Sequence, residues 1–198
     1  MKKNFFIIIL LFIFGLSQKS LSYSNDPKQF IQEIVDEAKK ILVESNSKEF
    51  KTKELSKMAL KTVDIKGVGY YTLGNYRKKL SDEQMKEYLI LFEKYFLKSF
   101  TSRLSDYSDP KIEVISAETI NPKYTIVKSL LLATDKKPEV KIEWRIYTKN
   151  PDRPLIRDLI IEGLSLARTQ KEEFSSVIES NNGDVNKLFD TLKEFVAK

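Results

Sequence analysis

The 198-residue sequence contains no cysteine and no histidine. Without cysteine the chain has no disulfide, no thiol nucleophile and no thioether attachment point for a lipid. Without histidine it lacks the most frequent general base near neutral pH, and most zinc sites need one of these two residues. Catalysis would have to rely on carboxylate, lysine or tyrosine side chains. We expect no metal site and no cofactor, and we predict that the protein is not an enzyme, with an enzyme built on these side chains as an alternative.

Long hydrophobic runs are also scarce. The longest, FFIIILLFIFGL, has 12 residues, fewer than the roughly 20 that span a bilayer as a helix. It follows Lys2 and Lys3 and precedes a polar stretch with small residues at Ser20 and Ser22, which is typical of a secretory signal peptide. We predict a signal peptide over 1–22 and one domain over 23–198. An uncleaved membrane anchor is the alternative.

The excess of positive charge is small. The formal net charge is +6, and removal of Lys2, Lys3 and Lys19 with the signal leaves 31 basic and 28 acidic residues, a net charge of +3. This charge is too low and too dispersed to indicate a nucleic-acid partner. Since no disulfide is available, stability must come from a hydrophobic core, which about 175 mature residues can bury.

The first half of the mature chain has helical periodicity. Asp26 and Pro27 suit the start of a helix, and apolar residues at helical spacing extend it to near Asn46. A second helix is predicted around 55–63, and the glycines of GVGYYTLG, 67–74, predict a helix-breaking corner rather than a phosphate loop. Ser81 and Gln84 form the pattern of a capping box before a long helix with a broad aromatic stripe.

After Pro110 the apolar residues recur at every second position. Four segments read as strands joined by short turn-forming stretches, which favours an antiparallel meander: KIEVISAE, KYTIVKSLLLAT, EVKIEWRIYT and PLIRDLIIEG. The chain then returns to helical periodicity, with a capping box predicted at Thr169 and Glu172 and a final helix capped by Asp184. The predicted class is α+β, with a four-stranded twisted antiparallel sheet packed with several helices around an apolar pocket.

The stretch DLIIEGLSLARTQKEEF, 158–174, contains two isolated carboxylates. We predict that Asp158 and Glu162 lie on one face of a single strand, with their Cα atoms roughly 13 Å apart, whereas paired glycosidase carboxylates lie about 5 to 9.5 Å apart. The spacing and the missing histidine leave no catalytic relay. We interpret Asp158, Glu162 and Gly163 as structural or partner-facing, with Gly163 ending the strand.

Two motifs resemble a known family. DLIIEGLSL followed by Phe174 is similar to the D-x-x-x-E-G-x-S region of the MlaC-type phospholipid-binding proteins, also called the toluene-tolerance family. VDIKGVGYYTLGNYRKKLSDEQMKEYLILFEKYF is similar to its second hallmark, an aspartate-containing helix start, then L-G-x-aromatic-R, then a long aromatic helix. Tyr76 stands where many members have tryptophan, and Arg168 or Lys171 is the nearest match to an arginine of the family.

The resemblance implies a monomeric, soluble periplasmic carrier that moves phospholipid between the outer membrane and an inner-membrane ABC transporter complex. Phospholipid would be its cargo, and an outer-membrane lipoprotein complex would be the second partner. Such a carrier is an auxiliary component of the ABC transporter and maintains outer-membrane lipid asymmetry. Alternatives from other classes are a periplasmic chaperone or protein-binding module with an apolar groove, and a cone-shaped α+β enzyme that uses an acidic base.

A lipid pocket can be assigned to residues from the alternation of the strands. We expect the acyl chains to lie between the sheet and the long helix, because these side chains would share strand faces or lie one helical turn apart. The predicted lipid contacts are Phe92, Phe96, Leu130, Leu132, Ile142, Trp144, Ile146, Leu159 and Ile161.

Overall fold

The structure is a computed structural model that describes residues 22–44, 47–105, 109–135 and 138–198. Apart from Ser22, the predicted signal peptide lies outside the described residues. The helices are α1 Pro27–Val43, α2 Lys48–Thr62, α3 Ile65–Thr72, α4 Asp82–Leu104, α5 Leu166–Glu179 and α6 Val185–Ala197, with a 3-10 helix over Gly74–Lys78. The strands are β1 Ile112–Asn121, β2 Tyr124–Leu131, β3 Val140–Tyr147, β4 Leu155–Ile161 and β5 Leu164–Ser165. None of the described helices is long and apolar enough to cross a membrane.

Three predicted helix starts are confirmed. The Asp26 carboxylate accepts a hydrogen bond from the Gln29 amide at 2.8 Å, which caps α1. Ser81 and Gln84 form both hydrogen bonds of a capping box at the start of α4. Asp184 caps α6. In each case a side-chain oxygen satisfies an amide that has no partner within its own helix.

Two predicted helix boundaries are wrong. The first helix ends at Val43, three residues before the predicted end near Asn46, which itself lies outside the described residues. Helix α5 begins at Leu166, three residues before the predicted capping box, and its N-cap is Ser165, which accepts from the Arg168 amide at 3.1 Å. The Thr169 hydroxyl instead donates to the Ser165 carbonyl at 3.1 Å, as a residue inside the first turn. The serine takes the cap because the chain leaves β5 directly at that position.

The predicted glycine corner is only partly correct. Gly67 and Gly69 lie inside α3, and Gly69 leaves room for an aromatic ring, since a Cβ there would lie 2.9 Å from Phe92 Cδ1. The turn comes at Gly74, where φ is +54° and the 3-10 helix begins. Gly69 therefore allows close packing inside α3, whereas Gly74, with its positive φ, allows the chain to change direction.

The junction between α2 and α3 is tied to the sheet by an ion-pair cluster that the sequence did not reveal. Asp64 caps α3 through the Gly67 amide at 2.9 Å and accepts from Arg157 Nε and Nη2 at 2.7 and 2.6 Å. Arg157 Nη1 also donates to the Tyr124 hydroxyl at 2.9 Å, and the guanidinium lies 3.6 Å from the centre of the Tyr147 ring. These contacts lock the Asp64 carboxylate in one position.

We expect Gly67→Ala to destabilise the protein by about 1 to 3 kcal/mol. A Cβ at this position would lie 2.3 Å from Asp64 Oδ2, so the carboxylate would have to leave both the α3 cap and Arg157. Urea unfolding followed by circular dichroism measures the loss. Lys66→Ala on the same helix is the control, because Lys66 is exposed and the change should stay within about 0.5 kcal/mol. Equal stability of the wild type and Gly67→Ala would contradict the locked position of Asp64.

The sheet is an antiparallel meander with strand order β1-β2-β3-β4-β5. The antiparallel connectivity was predicted correctly, but the number of strands was not. The fifth strand, Leu164–Ser165, has two residues, too few to show any alternation in the sequence. It pairs with the end of β4, and residues of the β4–β5 turn have φ of +48° at Glu162 and +81° at Gly163.

The register assigns the side chains of the strands to two faces. Because residues directly opposite each other point to the same side of a sheet, Val127 shares a face with Trp144, and Ile142 with Ile161. We call this the inner face. Leu130 pairs with Lys141 and therefore lies on the opposite, outer face. A one-residue irregularity between Arg145 and Ile146 places Asp158 on the outer face and Ile156 on the inner one.

The buried apolar residues form two clusters. The first joins α1 and α2 to the inner face of the sheet through residues such as Phe30, Leu55 and Ile146. The second joins α3, α4, α5 and α6 around Tyr88 and Phe92. Helix α4 contributes to both, since its end packs against the first cluster through Phe100 and Leu104. The long helix therefore connects a sheet-based core with a helical core.

Candidate functional site

The inner face of the sheet is closed at one end and partly open at the other. Thr125, Val127, Ile146 and Ile156 are at most 6% exposed. Further along the strands the large apolar side chains of the inner face become only half-buried. We call these five side chains the apolar strip: Leu131, Ile142, Trp144, Leu159 and Ile161.

An aromatic ladder on α4 shows the same gradient. Tyr88, Phe92, Phe96 and Phe100 follow one another at four-residue spacing, with successive ring centroids 5.8, 6.3 and 5.9 Å apart. Tyr88 and Phe92 are buried, whereas Phe96 and Phe100 are half-buried. Phe100 and Trp144 pack against the same core cluster. The open end of the ladder and the apolar strip therefore each have one member that packs against the first core cluster.

The polar atoms next to the strip are paired with each other. Trp144 Nε1 donates to the Ser129 hydroxyl at 2.8 Å, and that hydroxyl donates to the Ile142 carbonyl at 3.3 Å. Ser129 is buried on the inner face, where an unpaired hydroxyl would be costly. The hydrogen bond fixes the orientation of the indole and leaves an apolar surface in this region.

The structure brings together some of the predicted lipid contacts and separates others. Five share the inner face of the sheet: Ile142, Trp144, Ile146, Leu159 and Ile161. Leu130 lies on the outer face, and Leu132 lies beyond the end of β2, 36% exposed. The expectation that Leu130 faces the same side as Trp144 is wrong, because three consecutive leucines carry no alternation that fixes their register.

The two predicted helix contacts differ in accessibility. Phe92 is buried by neighbouring aromatic rings, with the ring centroid of Phe174 at 6.2 Å in an edge-on arrangement and that of Tyr95 at 6.4 Å. Phe96 is only half-buried. The sequence analysis missed Leu131 of the apolar strip and Phe100 of the aromatic ladder. Extending the alternation from Val127 by four residues and the helical spacing from Phe96 by four would have found both.

Asp158 fastens α5 to the sheet. Its side chain is 3% exposed, and its Oδ1 accepts from the Ala167 amide at 2.9 Å. Its Oδ2 accepts from the Ser165 hydroxyl at 2.6 Å and from Arg145 Nη1 at 3.3 Å. The carboxylate thus binds the first turn of α5, where a helix dipole favours negative charge. Its hydrogen bonds connect β4 with the start of α5 and with Arg145 of β3.

Glu162 and Gly163 shape the end of β4. The Glu162 carboxylate accepts from the Lys141 amide at 2.5 Å, and its own amide donates to the Lys141 carbonyl at 3.0 Å. Glu162 and Gly163 are exposed and lie in the turn after β4. The expectation that Glu162 shares a strand with Asp158 is therefore wrong. Their carboxylates have separate sets of partners.

Arg168 and Lys171 line an open cleft between α3 and α5. Its volume is about 530 Å³, and its lining is Tyr71, Arg168, Lys171, Glu172, Ser175, Ser176, Glu179 and Ser180. The Lys171 ammonium lies 5.5 Å from the centre of the Tyr71 ring. Both signs of charge are present, so the cleft has no strong preference for anions. Within the described ranges, no cluster of three or more acidic, histidine or cysteine residues is arranged to hold a metal ion.

The fold resembles that of a known structure. A phospholipid-binding protein from Ralstonia solanacearum, in complex with a phospholipid, superposes with a TM-score of 0.70 over 84% of this chain and 94% of that chain, at 19% sequence identity. At this identity the likeness establishes the α+β fold. The family model described as MlaC protein matches residues 28–194. This range includes the whole sheet and all six helices apart from the first residue of α1 and the last residues of α6. The chain belongs to the MlaC family.

Proposed function

We propose that this protein is a soluble periplasmic phospholipid carrier that holds the acyl chains of its cargo in an apolar cavity. The cargo is supported by membership of the MlaC family and by the phospholipid bound to the Ralstonia protein of the same fold. The signal-peptide pattern of residues 1–22 supports export. The carrier would pass lipid between the outer membrane and an inner-membrane ABC transporter complex, with an outer-membrane lipoprotein complex as the second partner.

A carrier must shield the acyl chains from water. Extracting a diacyl lipid exposes about 30 methylene groups, and at about 0.8 kcal/mol each the cost is on the order of 24 kcal/mol. A surface patch could not offset this cost, so the tails need an enclosing apolar site. The headgroup should remain in water at the mouth, because burying an unpaired phosphate costs several kcal/mol or more.

The observation that supports this site best is the half-buried apolar strip of the sheet. Ile142, Trp144 and Ile161 lie on the same face as the closed core but are not covered to the same degree. Phe96 and Phe100 are half-buried on α4, and Phe100 packs against the first core cluster, as Trp144 does. Large apolar side chains that stay partly exposed next to a filled core are the expected lining of a site whose occupant is apolar. We place the acyl chains between the strip and the open end of the aromatic ladder.

Protein purified from a Gram-negative host without added lipid should retain phospholipid. We expect native mass spectrometry to show a mass increment equal to one phospholipid, because the apolar site holds the tails through purification. Organic extraction followed by mass spectrometry of the extract identifies the lipid. A purified, folded protein that is lipid-free and takes up none from vesicles would contradict the carrier.

The two other candidate functions have distinct outcomes in the same preparation. A chaperone or protein-binding module would retain peptide in place of lipid. An acid-base enzyme would show a substrate-dependent rate that is lost in Asp158→Asn while stability and lipid content stay normal. The contacts of Asp158 with the first turn of α5 favour a structural role for this carboxylate.

A further inference from the structure

The segment before α1 is held against that helix by two glutamates. The Ser24 amide donates to Glu33 Oε2 at 2.7 Å, and the Tyr23 hydroxyl donates to Glu37 Oε2 at 2.5 Å. The Tyr23 ring meets the Phe30 ring edge-on at 5.8 Å and packs against the first core cluster. The segment is therefore docked through both polar and apolar contacts at the position where signal cleavage is predicted.

Glu33 and Glu37 lack a cationic side chain nearby. They lie one turn apart on α1, where two like charges repel each other. Over the part of the chain that the structure describes, no lysine or arginine nitrogen lies within 4.0 Å of either carboxylate. The donor that reaches Glu33 from α1 is neutral, the Gln29 side-chain amide at 3.3 Å. Among the described residues, no ion pair therefore balances the negative charge of these two carboxylates.

Signal cleavage would create a positive charge beside this pair. Hydrolysis of the Ser22–Tyr23 bond by a signal peptidase and one water molecule leaves a carboxylate on Ser22 and an amino group on Tyr23. Adjacent backbone nitrogens are at most about 3.6 Å apart, so the Tyr23 nitrogen lies within about 6 Å of Glu33 Oε2. An α-amino group has a pKa of about 7.7 to 8.0 and carries a positive charge at neutral pH. In the precursor the same nitrogen is an uncharged amide.

We propose that the α-ammonium group produced at Tyr23 forms an ion pair with Glu33 and Glu37, so that removal of the signal peptide fastens the first residues of the mature chain to α1. The inference rests on the export step of the proposed function. It assigns Glu33 and Glu37 as the recognition site for a new N-terminus. Processing then contributes to the stability of the exported protein as well as releasing it from the membrane.

The test compares exported proteins that differ in where the ammonium group lies. The full precursor is expressed in a Gram-negative host, and the exported product is identified by N-terminal sequencing and intact mass. A second precursor carries Gly-Ser-Gly between Ser22 and Tyr23, so that cleavage after Ser22 leaves the charge three residues away. Both are also prepared with Glu33→Gln and Glu37→Gln together, and urea unfolding is measured for all four proteins.

We expect the insertion to raise the unfolded fraction about two- to fivefold in the wild-type background, which is the range for a partly exposed ion pair, and to have no effect in the double-glutamine background. An equal effect of the insertion in both backgrounds would overturn the ion pair, as would a mature product that starts at a residue other than Tyr23. A product that retains Met1 and sediments with membranes would instead overturn the export step of the proposed function.

Discussion

Protein with Ile161→Glu is expected to be purified without phospholipid, whereas protein with Leu130→Glu should retain it. Ile161 is on the inner face of the sheet, opposite Ile142 in the apolar strip, and Leu130 is on the outer face, opposite Lys141. A carboxylate at 161 would have to lose its water to contact acyl chains. A carboxylate at 130 stays beside a lysine and in contact with solvent.

The two variants form a matched pair because the residues are similar in size and exposure but lie on opposite faces. Both are large aliphatic side chains on strands that pair with β3, and both are half-buried. Each therefore loses a similar amount of apolar contact when replaced by glutamate. A difference in lipid content between the two folded variants reports the face that the lipid touches.

The expected loss for Ile161→Glu is large. Burying an unpaired carboxylate costs several kcal/mol, and each 1.4 kcal/mol is a factor of ten in affinity, so lipid binding should weaken about 100-fold or more. Native mass spectrometry gives the lipid occupancy, and circular dichroism with thermal unfolding verifies the fold. Full occupancy in folded Ile161→Glu, or loss of lipid in both variants, would place the cavity elsewhere.

Asp158→Ala is expected to destabilise the protein by about 2 to 4 kcal/mol. The substitution leaves the Ala167 amide and the Ser165 hydroxyl without their acceptor in a region where Asp158 itself is 3% exposed. Arg145 is less affected, because its side chain is 39% exposed and can be solvated by water. The cost therefore comes mainly from the start of α5, and urea unfolding measures it.

Asp158→Asn is the matched control for the charge. Its side-chain oxygen can still accept from the Ala167 amide, whereas its amide group would face the Ser165 hydroxyl and Arg145. We expect a loss between that of alanine and zero, with lipid still bound at neutral pH. If Asp158→Ala were as stable as the wild type, the proposed role of this carboxylate in holding the start of α5 against the sheet would be contradicted.

No local pattern in the sequence predicted the contacts of Arg157, and the reason is the distance of its partners along the chain. Its partners Asp64, Tyr124 and Tyr147 are 93, 33 and 10 residues away along the chain. Each of them has an ordinary local interpretation, Asp64 as a helix cap and the tyrosines as strand residues. The cluster exists because the irregularity between β3 and β4 falls at this arginine.

The sequence by itself determined the elements whose signals are local. Caps at Asp26, Ser81 and Asp184 are set by a side chain and an amide two or three residues away. In β3, apolar and polar side chains alternate along the sequence because successive residues point to opposite faces of the sheet. Short turns between strands determined the antiparallel order. The two motifs around Asp64 and Asp158 indicated the family, and the match over residues 28–194 confirms it.

Only the tertiary structure decided which side chains share a surface. Leu130, Leu131 and Leu132 are equally apolar, and a slip of one residue would exchange the faces of the strand, so only pairing with β3 determines that Leu131 faces inward. The start of α5 at Leu166 depends on Asp158, which the sheet places beside the Ser165 hydroxyl and the Ala167 amide. Strand register and contacts between distant residues are set by the free energy of the whole packed domain, and local propensity carries no information about them.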